Sequence, residues 1–397
     1  MIRRLIPILG ITFIDIVGFS MLIPLLPYFA THFHASPLAI GVLFSTFSFC
    51  QLLAGPLWGN LSDRVGRKSV LVISQIGATI GWAMLGFAPT MLWVFIARII
   101  EGASGGNIGV TQAYVADLVA PRERARAFGY ISAAFGAGMV FGPLIGIVSS
   151  RFGFSAPFFV AAALQLLTLV LTLWLLPESR TKEERHVAGV GEIAATFRDP
   201  QIARVLYQKL ALSLGLYAWF GVWSLFLITQ LHFGIRETYM FFTFISILGV
   251  GVNGFIVGRA SDALGDRWMS NIGLGCLVAA FLLVPLVHGL LLLPVLGILF
   301  SFGMGFANTG ITALVSNAAS DRQQGTVLGV GSSLDSLSGV VSPILSTGML
   351  SRFGSPYSGV VSAVFAIVAL IMGLTAVRTE SRAGSRPPED FAIEAEV

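Results

Sequence analysis

Long apolar runs alternate along the chain with short clusters of polar and charged residues. A helix needs about 20 predominantly apolar residues to cross a bilayer. Twelve runs reach that length, at 5–29, 38–60, 69–88, 91–117, 124–149, 154–176, 202–230, 238–259, 270–288, 290–317, 324–349 and 355–377. The pattern predicts an all-α membrane protein with twelve transmembrane helices.

Composition agrees and excludes other classes. Apolar residues make up 55% of the 397 positions, charged residues 11%, and mean hydropathy is +0.84. A water-soluble domain of that make-up would aggregate. Lys and Arg accumulate in cytoplasmic loops of membrane proteins. With the N-terminus inside, 20 of the 24 basic residues, Lys209 among them, fall on that side; Arg151, Arg236 and Arg352 fall outside, and Arg98 lies within a span. Both termini are therefore expected in the cytoplasm. The net charge of +4 records this topology and contact with anionic headgroups, not nucleic-acid binding. Cys50 and Cys276 lie in apolar runs with no disulfide or metal spacing, and Arg3 and Arg4 open a first span too long for a cleaved signal peptide.

The chain also repeats itself. GNLSDRVGRK at 59 aligns with GRASDALGDR at 258, which pairs Gly59, Ser62, Asp63 and Gly66 with Gly258, Ser261, Asp262 and Gly265. Gly129, Ser132 and Pro143 pair with Gly329, Ser332 and Pro343, and SRFG occurs at 150 and 351. A near-constant offset implies two six-helix halves in the same orientation. The expected domains are 1–176 and 202–377, with a cytoplasmic connector at 177–201 and a cytoplasmic tail at 378–397.

Charge inside the spans marks candidate chemistry, because an intramembrane ionisable residue costs a few kcal/mol and needs a proton, a partner or water. Span 1 carries Asp15 with Gly18, Pro24 and Pro27. The prolines are expected to bend or open its outer end. Span 4 carries Arg98 and Glu101, which share a helix face at a spacing of three; Arg98 can pair with Glu101 or with Asp15. Span 5 has small residues for close helix packing around a proline, Gly129, Gly138, Gly142, Pro143 and Gly146. In span 11, Ser332, Asp335, Ser336 and Gly339 fall on one stripe that suits a cavity wall. Asp15, Glu101 and Asp335, with Asn308, Tyr217 and Trp223, are the candidate cavity residues. A purely structural role, as buried pairs or helix packing, remains open for each motif. In the loop of Gly59, Asp63, Arg64, Gly66, Arg67 and Lys68, Asp63 is expected to face a helix end and the bases to reach acids such as Asp117.

The loop pattern G-x-L-S-D-R-x-G-R-K resembles the helix 2–3 loop of major facilitator superfamily transporters at every defined position. Together with R-x-x-x-G at Arg98–Gly102 and the span 5 glycines, it makes the chain similar to the 12-helix drug/proton antiporters, and among them the tetracycline exporters. The resemblance implies two parallel-repeat bundles and export of a lipophilic or cationic small molecule against protons. It implies proton coupling at Asp15, Glu101 and Arg98, and a conformational gate at the loop that holds the halves together. Ile147 replaces the last glycine of the helix 5 signature, and the second-half loop copy is degraded, with Ala263 and Asp266 for the two arginines. Tetracycline exporters carry further acids in helices 3 and 9; residues 69–88 and 270–288 have none, which leaves tetracycline open as a substrate. The expected partners are a small molecule, protons and lipid, with the chain acting as a monomer and without cofactor, metal or nucleic acid. The alternative is a facilitator or symporter for a sugar or organic anion, with Arg98 holding a carboxylate.

Overall fold

The computed structural model describes residues 2–105, 107–120, 123–178, 196–319 and 323–375, so most of the expected connector and all of the tail lie outside the described residues. Those residues form helices and turns and no strand. The α-helices are α1 (Ile2–His32), α2 (Pro37–Val65), α3 (Arg67–Gly86), α4 (Met91–Ser104), α5 (Asn107–Leu118), α6 (Arg124–Ser149) and α7 (Ala156–Leu175) in the first half. The second half holds α8 (Pro200–Leu231), α9 (Ile235–Gly251), α10 (Val257–Leu283), α11 (Leu293–Ala318), α12 (Gln324–Phe353) and α13 (Val360–Leu374). Ten helical stretches are long and apolar enough to cross a membrane.

Two departures from the expected spans have local causes. The run at 91–117 is two helices, α4 and α5, because the backbone turns extended at Gly105. Conversely, 235–286 is one helical stretch in which a π-turn at Val252–Ile256 joins α9 to α10. Gly265, at φ 75°, bends α10 where the second copy of the loop lies. Gly66, at φ 102°, makes the matching turn between α2 and α3. Only glycine adopts such angles without strain, which accounts for its recurrence at the same place in both halves.

Within the first half α1 packs on α6 and α7, α3 on α7, and α2 on α4; within the second, α8 packs on α12 and α13, and α10 on α11. The halves meet through α2 against α12 and α6 against α9, with α1 touching α8. The end carrying the α2–α3 turn is called the near end here, and the end carrying the α1–α2 turn the far end. One apolar core runs through the second half and takes in Met21, Leu22, Leu25, Leu26 and Phe29 from the far part of α1. The near part of the first half packs separately, around Leu5, Ile8, Val70, Leu71 and Tyr114.

Candidate transport site

Asp15 lies midway along α1 and faces α7, where Thr168 and Gln165 are its hydrogen-bonding neighbours. Its Oδ1 is shut off from solvent and has no hydrogen-bond partner among the described residues. No ion pair joins it to Arg98.

Arg98 pairs instead with Glu101 on its own helix, and both are nearly sealed, at 2% and 5% exposure. The guanidinium sits 4.1 Å from the centre of the Phe47 ring of α2, a cation–π contact. Glu101 lies against Gly81 of α3, where any Cβ would collide with it, and Gly102 lies against the backbone of Phe47. Small residues thus admit a buried ion pair between α2, α3 and α4. The helix stops one turn later, and a broken helix frees carbonyls that lipid cannot satisfy. Here the Trp58 indole of α2 donates to Ala103 O at 2.8 Å and the Ser74 hydroxyl of α3 donates to Ser104 O at 2.6 Å. The break is therefore built in, directly beside the charge pair.

A second ion pair lies in the other half. Lys209 Nζ of α8 is 3.2 Å from Asp335 Oδ2 of α12 and donates to Asn308 Oδ1 of α11 at 3.1 Å. Ser213 donates to Asp335 Oδ1. Lys209, expected in a cytoplasmic loop, is 8% exposed in the bundle interior, nine residues beyond the Pro200 that opens α8. The stripe Lys209, Ser213, Tyr217, at intervals of four, is the signal that would have located it. A small cavity of about 120 Å³ borders the pair, lined also by Thr312 and Ser332. The ring of Tyr217 reaches toward Gly339 on α12, itself packed against Ser48 of α2. Trp223 sits elsewhere: 1% exposed, it packs among Trp219, Phe241, Phe242 and Phe300, so it belongs to the aromatic core rather than to a cavity wall.

The near-end loop is built around Arg67. It pairs with Asp63 at 2.6 Å and Asp117 of α5 at 3.4 Å, and donates to the Ser62 hydroxyl. Asp63 thus neutralises Arg67, the first residue of α3. Sequence reasoning passed over Glu178, at the start of the connector. Its Oε1 accepts from Lys68 N at 3.1 Å, and its carboxylate occupies the space a side chain at Gly66 would need. Lys68 Nζ donates to Leu173 O at 2.8 Å. Asp117 and Leu173 lie in the first half and Glu178 at the start of the connector, so in this conformation the bonds of Asp63, Arg67 and Lys68 brace that half and its exit; the tie between the halves is expected for the state shut at the cytoplasmic side.

The second loop copy keeps the arrangement with reversed polarity. Asp266 takes the position of Arg67 and accepts from Ser261 at 2.6 Å and from Asn317, the counterpart of Asp117, at 3.4 Å. Arg267 donates to Leu374 O at 3.3 Å, as Lys68 does to Leu173 O. The copy that lacks both arginines thus keeps contacts at the same places with opposite charge.

The span 5 glycines divide by task. Gly138 and Gly142 let α6 rest on the α1 backbone, where Ser20 Oγ donates to Gly138 O at 3.0 Å. Gly146 makes room for Tyr239 of the other half, whose hydroxyl donates to Met21 O at 3.1 Å. Gly129 has open space beside it, and Pro143 lies inside an unbroken α6. Likewise α1 runs unbroken through Pro24 and Pro27, contrary to the expected opening. Pro27 lacks the N–H that would bond Ile23 O, and Ser224 of the second half donates to that carbonyl at 3.5 Å.

Long apolar helices with ionisable groups buried inside the bundle point to a multi-pass membrane protein, and the comparison with known families makes it a transporter. Residues 8–256 and 230–396 match the family model of the Major Facilitator Superfamily, and the chain belongs to that family. It is similar to the class C tetracycline resistance protein of Escherichia coli, 29% identical over 93% of this chain and 95% of the relative. It is also similar to multidrug resistance protein 2 of Bacillus subtilis (strain 168), 28% identical over 93% and 94%. Among solved structures, a bacterial homolog of the human lysosomal transporter Spinster superposes with a TM-score of 0.80 at 15% identity, covering 94% of this chain and 95% of that one. The human organic anion transporter MFSD10 (TETRAN) gives 0.71 at 22% identity, covering 94% and 99%.

Proposed function

We propose that the chain is a proton-coupled antiporter that exports lipophilic or cationic small molecules by alternating access across a bacterial inner membrane. In this reading α4 and α5 form one interrupted span and Gly265 divides 235–286 into two, giving twelve spans. The near end and both termini face the cytoplasm, 1–176 and 202–377 are the two moving domains, and the chain works as a monomer. The tetracycline and multidrug resistance relatives support the substrate class.

The observation that carries the reading is Asp15, a carboxylate in mid-span with one oxygen unpartnered while the neighbouring charges neutralise each other. Such a group alternates between holding a proton and attracting a cation. A proton arriving from outside neutralises Asp15 and releases the guest; return to the inward-facing state delivers the proton to the cytoplasm. Exchange of one proton for one neutral guest gains about 2.3 kcal/mol per 100 mV of inside-negative potential. Arg98 is occupied by Glu101, which weighs against a carboxylate substrate bound there.

The test is proton release from purified protein in detergent on adding tetraphenylphosphonium or a tetracycline. Release is expected from the parent and from Glu101→Gln, and none from Asp15→Asn. A parent that binds a ligand without releasing protons overturns the exchange mechanism.

A further inference from the structure

Lys209 and Asp335 are unlike the other buried charge pair. Arg98 and Glu101 sit on one helix and are both sealed, so nothing can come between them without unpacking α2 and α3. Lys209 and Asp335 come from different helices, and their exposures differ: 10% for the lysine side chain and 32% for the aspartate. The carboxylate thus presents an open edge, while the ammonium approaches it from inside the second half. Each carboxylate oxygen receives one donor, Oδ1 from Ser213 and Oδ2 from Lys209, and each can accept a second. The ammonium already donates to Asn308 as well, an acceptor it keeps when it leaves Asp335, and the cavity of about 120 Å³ beside the pair gives its flexible stem room to withdraw.

The interior charge balance decides which kind of guest this suits. Arg98 with Glu101 and Lys209 with Asp335 are neutral pairs, and Asp15 is left over, so the described ionisable groups in the middle of the bundle sum to one negative charge when Asp15 is ionised. Tyr217, beside Asp335, offers a ring face that an anion would not favour.

We infer that Lys209 is a tethered stand-in for the substrate's cationic group: its ammonium occupies Asp335 while the site is empty, and a guest cation displaces it toward Asn308. The inference rests on the export reading and narrows it to guests bearing a protonated amine or another positive centre. Lys209 then sets a threshold. A guest must outcompete an intramolecular ammonium, so weakly binding cations do not load, and Asp335 is not left unpaired between cycles.

The test is equilibrium binding of tetraphenylphosphonium to purified protein in detergent, at fixed pH and without a gradient. Lys209→Met is expected to bind at least tenfold tighter than the parent, and Lys209→Gln, which keeps a hydrogen bond for Asn308, to do the same. Asp335→Asn is expected to bind at least tenfold weaker, because the ammonium then repels the guest without competing for a carboxylate. The double variant Lys209→Met/Asp335→Asn should fall between Asp335→Asn and the parent. A lysine that only holds helices together predicts the opposite, with both Lys209 variants binding equally or more weakly, and that result overturns the proposal. The same order of affinities is expected in an Asp15→Asn background, so loss of proton coupling and loss of the tethered competitor are read separately.

Discussion

Glu101 shows how far a sealed side chain depends on its partner. It neutralises Arg98 in a site closed by Phe47, Gly81 and Gly102. Removing one member of a sealed pair leaves an uncompensated charge and costs about 3–5 kcal/mol, whereas removing both can be nearly neutral. Glu101→Gln is thus expected to lower the apparent Tm in detergent strongly, and Arg98→Met/Glu101→Leu to recover most of the loss. If the double variant is as unstable as the single, the pair contributes binding geometry that apolar packing cannot replace. The charge and spacing of this pair were legible in the sequence, but its choice of partner was not. Arg98 had two acids within plausible reach, and the contacts that enclose the chosen pair, Phe47 and Gly81, lie on other helices. Lys209 was misread for a similar reason: near a predicted span boundary, a solvated lysine and a buried one look alike until the partner acid, more than a hundred residues away, is placed beside it.

At the level of helices and turns, the two loop copies solve one problem with opposite charges. The first holds a nearly buried arginine between Asp63, Asp117 and Ser62; the second holds an aspartate between Ser261 and Asn317. The duplication itself was readable, since Gly66 and Gly265 stand where the backbone needs a positive φ. The inversion was hidden because matching letters reveal conserved identity, not conserved geometry. Asn317→Asp sets two carboxylates against each other and should lose about 0.5–1 kcal/mol; adding Asp266→Arg to it should rebuild the first-half pattern and restore the loss. A double-mutant cycle on thermal stability measures the coupling, and a cycle that closes at zero would mean that the two side chains do not interact. The same limit applies to α4. The sequence read 91–117 as one span, and only the Trp58 and Ser74 donors explain why a broken helix is tolerated there.

For the whole molecule, contact between the halves is uneven along the bundle. At the far end a side chain at Gly41 would collide with Thr347 and the Pro343 backbone, and one at Gly146 with the Tyr239 ring. Toward the near end Gly59, Gly129, Gly258 and Gly329 have open space where a side chain would project. The close approaches sit on the two helix pairs that join the halves, α2 with α12 and α6 with α9, so enlarging either glycine acts as a wedge at the far end alone. Packed interfaces respond to such wedges by changing state rather than by stretching. Gly41→Val and Gly146→Val are therefore expected to shift the population toward a conformer open at the far end and closed at the near end. Spin labels at Phe87 and Leu290, both exposed far-end positions, should move apart, while labels at Val65 and Leu264, exposed near-end positions beside the two loop glycines, should approach. Opposite shifts of the two distances in one variant are the signature of rocking halves. A far-end distance that grows while the near-end distance stays fixed would mean that the wedge only distorts α2 or α6, and that the halves do not move as units.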